Sequence, residues 1–132
     1  MKTSEIMDYL EENGLSEIEE VKTTDDFLVI KFFYDFDKEE IEAAESYAKE
    51  ESDFEAESEE WYSEFYIPYL KDIAIDNVEG IMEDLMEDLE LEGKFKHMEI
   101  EASNCGYLKF VSAFSSDDNE IDLEEVLNDY VQ

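Results

Sequence analysis

Arginine is absent from this sequence, and cysteine, proline, tryptophan and histidine each occur once. Without arginine the chain lacks the planar fork that grips phosphate or carboxylate through two parallel hydrogen bonds, which argues against a nucleotide substrate. A single cysteine, Cys105, permits no disulfide within the chain, so nothing points to an oxidising compartment. Its neighbourhood of carboxylates would raise rather than lower a thiol pKa, which suits a structural cysteine and not a nucleophile. The lone histidine, His97, lies in KFKHMEIE with no serine or cysteine beside it, so neither a nucleophile with its base nor a zinc site can be assembled around it. Gly14, Gly80, Gly93 and Gly106 stand apart, with no GxGxxG or GxxxxGK(S/T) to cradle a phosphate. No apolar run approaches the roughly 18 residues of a membrane span, and MKTSEIMDYLEENG at the amino terminus has no signal-peptide core. These absences lead us to expect a cytoplasmic, non-enzymatic chain with no catalytic residue, cofactor or metal.

What the chain does have is acid: 41 Asp and Glu against 9 Lys give a formal net charge of -32. Self-repulsion at that level keeps a protein dispersed, opposes compaction and repels nucleic acid and anionic lipid. Direct contact with nucleic acid or a membrane is therefore not expected, and the favoured partner is a basic protein surface. A hydrophobic content of 43% and an aromatic content of 14% set the chain apart from disordered acidic sequences. At 132 residues it fits one domain that buries about two-thirds of its unfolded surface. Calcium loops fail on detail. With Asp35, Asp37 and Glu39 at positions 1, 3 and 5 of an EF-hand, Glu40 falls where glycine is required and Ser46 where the bidentate glutamate belongs.

The residue pattern predicts an α+β fold in the order α-β-β-α-α-β-β-α, with two hairpins in one antiparallel sheet and helices packed on one face. Ser4 to Glu12 reads as a helix stopped by Gly14, and Ile18 to Lys22 with Phe27 to Phe36 as a hairpin. Lys38 to Glu51 reads as a second helix. Pro68 starts or kinks a third that runs to about Leu91. Phe95 to Glu101 and Cys105 to Phe114 form the second hairpin, and Asp118 caps a last helix from Ile121 to Tyr130. In Phe27 to Phe36 both alternating sets are apolar, which places that strand mid-sheet or at the interface of a homodimer. IMDYLEENG at 6–14 also resembles LMEDLELEG at 85–93, and IKFFYDFD at 30–37 resembles LKFVSAFS at 108–115. The simplest account of that order is a duplicated α-β-β-α unit, with repeats at 3–52 and 78–132.

Two acidic arrays stand out. Glu50, Glu51, Asp53, Glu55, Glu57, Glu59 and Glu60 crowd one segment with no base among them, followed by Trp61, Tyr62, Glu64 and Tyr66. On the next helix Val78, Ile81, Met82, Leu85 and Leu89 form an apolar stripe, leaving Asp76, Glu79, Glu83, Glu87 and Glu90 as an outer row. Like charges at this spacing repel by up to about half a kcal/mol per pair, and a surface built only for solubility mixes its signs. Rows of carboxylates can stand in for the phosphates of a nucleic acid. The expected function is therefore that of an inhibitor which occupies the basic groove of a DNA- or RNA-binding protein, as proteins that block restriction or CRISPR nucleases do. Trp61, Tyr62 and Tyr66 are expected to be exposed anchors beside the arrays. The alternative is a housekeeping binding module or small dimeric chaperone. In acidity, size and element order the chain is loosely similar to type III secretion chaperones, and that resemblance implies an exposed apolar groove for a client.

Overall fold

A computed structural model describes residues 3–53, 58–98, 106–116 and 121–130. The chain is an α+β fold built on one four-stranded antiparallel sheet in the order β1-β2-β4-β3. Helix α1 (Thr3–Glu12) buries Ile6 and Leu10 and ends where Gly14 takes a positive φ of 88°, a conformation that costs glycine nothing. Strands β1 (Ser16–Thr23) and β2 (Leu28–Asp35) form the first hairpin. Its turn is held by Thr24, whose hydroxyl accepts from the Asp26 and Phe27 amides.

Helix α2 (Lys38–Glu51) starts from a reciprocal cap: Asp37 accepts from the Glu40 amide at 2.8 Å and Glu40 accepts from the Asp37 amide at 3.0 Å. It buries only Ala44 and Ala48, small residues that let it lie close to its neighbours. A single turn, α3 (Glu59–Trp61), then passes through a π-helical turn at Tyr62–Tyr66 into α4 (Ile67–Leu89). Pro68 accounts for that widening. It has no N–H for the carbonyl one turn back and its ring crowds that carbonyl, and a π turn relieves both. The proline thus lies in the first turn of α4, at the join with the π turn, as a residue that starts or kinks a helix does.

Helix α4 ends with Glu90 in the left-handed region at φ 54°. Strand β3 (Leu91–His97) follows at once and pairs with β4 (Tyr107–Ser116). The second hairpin therefore begins four residues earlier than the sequence pattern indicates, and Gly93 lies inside a strand. Helix α5 (Leu123–Asn128) is capped by Asp122, which accepts from the Glu125 amide at 3.2 Å. Asp118, expected in that role, lies outside the described residues.

The sheet divides its side chains by parity. Leu28, Ile30 and Phe32 of β2, with Leu108, Phe110 and Phe114 of β4, face the main core beneath α1, α2 and α4. Val29, Val111 and Ala113 face the other way, where Leu123 and Leu127 of α5 cover them. The expectation that all helices share one face holds for the first three and fails for α5. That short helix also accounts for the two-sided apolar pattern of β2, which is a central strand with a layer on each face.

Phe32 lies opposite Phe110 in the β2–β4 register, and their rings stack at 5.5 Å. A two-fold axis normal to the sheet at that pair would exchange β2 with β4 and β1 with β3, matching the order of the two similar sequence stretches. The faces of α2 and α5 do not obey it.

Candidate functional site

Helix α4 turns by about 100° per residue, so positions repeating every three or four residues form a row. Asp72, Asp76, Glu79, Glu83 and Glu87 fall within roughly 80° of arc and extend over about 22 Å of axis. All are exposed, and Glu90 continues them beyond the last turn. Leu70, Ala74, Val78, Met82 and Leu85 are buried on the opposite side. Packing on the sheet thus fixes the direction of the row. Asp72 belongs to it but escapes sequence reasoning, because Pro68 obscures how far toward the amino terminus the helical register extends.

Charge compensation is sparse. Among the described residues the ion pairs are Lys38–Glu42 at 3.8 Å and Lys94 and Lys96 with Glu124, each at 3.9 Å. None reaches the α4 row. Helix α4 also has no basic residue in its last turn, where Glu87 and Asp88 meet the negative end of the helix dipole. Acids in that position each cost about 0.3–1 kcal/mol. Asp88, beside the row, accepts from the Tyr9 hydroxyl at 3.2 Å and so ties α1 to α4.

The second array divides. Glu50 and Glu51 end α2 and Asp53 follows, all exposed. Glu55 and Glu57 lie outside the described residues. Glu59 and Glu60 occupy the first turn of α3, where a helix dipole favours acids, so the local fold accounts for their placement. Glu64 is exposed on the π turn.

The aromatic anchors need correction. Trp61 is 5% exposed and Tyr66 6%, and their rings stack at 5.0 Å inside the main core, with Tyr62 half-buried edge-on to both. Trp61 and Tyr66 anchor the helix to the domain and present no outward face, whereas Tyr62 keeps part of its surface exposed. The Trp61 indole nitrogen is buried without a hydrogen-bond partner. Among the described residues Tyr47, at 40% exposure, is the large hydrophobic residue that does face outward, stacked on Tyr69 at 4.9 Å.

One polar knot fixes α4 against the sheet. The Tyr34 hydroxyl donates to Glu40 at 2.7 Å and accepts from the Asn77 amide at 2.6 Å. Burial, and then the bond to Glu40, push the Tyr34 pKa up to about 12. Beyond the row, a cleft of about 450 Å3 runs along β3 between α4 and α5. No group of His, Cys, Asp and Glu suited to a metal ion occurs among the described residues. None of their helices is long and apolar enough to cross a membrane. Comparison of the chain with protein-family models, curated proteins and solved structures finds no match.

Proposed function

We propose that this protein is a non-enzymatic binding protein that imitates a nucleic-acid backbone and occupies the basic groove of a DNA- or RNA-binding protein, in the cytoplasm. The observation that carries this reading is the α4 row, exposed along its length, unpaired with lysine and continued into the helix end where acid is least favourable. A row accumulated only for solubility would be relieved by interspersed bases. Rigidity adds to it: the row is held by a helix whose opposite side is core, so the carboxylates are presented with little ordering cost on binding.

The test is capture of partners from lysate by the wild-type chain and by a variant with Glu79, Glu83 and Glu87 changed to Gln. The variant should lose the partners, and duplex DNA or RNA should compete with the wild-type chain for them. Equal capture by the variant, or a ternary complex with nucleic acid, would refute the reading. A second reading, a module that holds a client chain, is favoured by the cleft beside β3, whose wall includes the half-buried Met86 and Phe95.

A further inference from the structure

The two edges of the sheet are built differently. Edge strand β1 carries two register shifts against β2, a positive φ at Glu17 and the exposed acids Glu17, Glu19 and Glu20, devices that deter another strand from pairing. Edge strand β3 pairs with β4 in unbroken register from Leu91 to His97. The Met98 amide donates to the Lys109 carbonyl at 2.8 Å. By the alternation of an antiparallel ladder, the N–H and C=O groups of Gly93, Phe95 and His97 point away from β4, along the free edge. Lys94 and Lys96 could shield such an edge, but both are drawn over the α5 face by Glu124, and Lys96 donates to Asn128 at 2.6 Å.

The free edge lies in the cleft between α4 and α5. On the α4 side the charges among the described lining residues are Glu79 and Glu83, with the flexible, half-buried side chain of Met86 beside them. We propose that β3 accepts an added strand: an extended segment of another protein, with lysine or arginine at alternate positions and small or apolar residues between them. Its main chain pairs with β3. Its basic side chains turn toward α4, laying their methylene stems on Met86 and their charges by Glu79 and Glu83. Its intervening residues face the α5 side of the cleft. A second copy of this chain is a poor occupant, because it would bring a net charge of -32 against the same charge. The proposal does not rest on α4 as a nucleic-acid mimic, since the edge can be probed without the natural target.

The experiment follows amide hydrogen exchange in the full chain on adding a synthetic peptide of alternating lysine and valine. A peptide of the same composition in two blocks, and one of alternating glutamate and valine, serve as controls. The alternating basic peptide should slow exchange at Gly93, Phe95 and His97 by more than about ten-fold and leave β1 unchanged, whereas the controls should do neither. His97→Pro removes one outward donor at an exposed edge position and should weaken the peptide about five-fold, the worth of one main-chain bond, whereas His97→Ala should not. Should His97→Pro fail to fold, Glu79→Gln with Glu83→Gln must weaken the same peptide. Absent protection, equal protection by the acidic peptide, protection of β1 instead, or equal effects of the two His97 variants would each overturn the proposal. So would protection that grows with protein concentration without peptide, which would make the occupant a second copy.

Discussion

Two glycines in this chain should respond to the same substitution with opposite signs. A Cβ added at Gly93 would stand 2.9 Å from Cδ1 and 3.1 Å from Cε1 of Phe114, and 3.2 Å from Cε of Met82. Comfortable carbon contacts lie at about 3.5–4.0 Å, so roughly half an ångström must be found. The Met82 terminus can turn aside. The Phe114 ring is fully buried, and Gly93 faces it directly across the β3–β4 pair, so ring or strand must shift. Overpacking of this kind costs about 1–3 kcal/mol, offset by about 0.5–1 from replacing a strand glycine. Gly93→Ala should therefore destabilise by about 1–2 kcal/mol, or roughly 3–8 °C in Tm. Gly80 lies exposed within α4 with nothing within 4 Å of its would-be Cβ. Gly80→Ala should stabilise by about 0.5–1 kcal/mol through helix propensity alone. Chemical denaturation of the two variants reads both signs, and Phe114→Leu should partly rescue Gly93→Ala as a coupled pair. If Gly93→Ala proved as stable as the parent, the close packing of β3 against β4 would be wrong.

Other measurements bear on charge. Thermal melts should rise with sodium chloride, because screening over about 10 Å at 0.1 M weakens repulsion among 41 acids, offset by only 9 lysines, more than it weakens the exposed ion pairs. A flat or falling Tm would contradict this. Glu87→Gln with Glu90→Asn should stabilise by about 1 kcal/mol, since both changes remove acid from the negative end of α4 and asparagine tolerates the left-handed conformation at position 90. The same pair should bind the captured partner more weakly, a split that a merely solvating surface would not show. Below pH 10 Tyr34 is protonated in folded and unfolded chains alike and adds no pH dependence. Between 10 and about 12 the unfolded chain releases that proton while the folded one keeps it, so stability falls as pH rises. Tyr34→Phe should flatten that part of the stability curve.

Some of this structure is written in local pattern. The α+β class, the element order, both hairpins and the acid row from Asp76 to Glu87 follow from the β-branched and aromatic run Leu28–Asp35 and from helical spacing around Val78, Met82 and Leu85, because such patterns are properties of single elements. The start of β3 was not legible: LELEG continues a helical pattern, and only pairing of Leu91 with Ser116 makes a strand of it. Joint burial of Trp61 and Tyr66 was decided by the π turn at Tyr62–Tyr66, whose wider turn lies between them and brings positions five apart toward one side, so that both rings enter the core. The face chosen by α5 was a tertiary choice too, since Leu123 and Leu127 would suit any apolar layer and only Val29, Val111 and Ala113 stood uncovered. The contrast between a bulged β1 and an open β3 likewise belongs to register, which arises between strands and leaves no mark on either one alone.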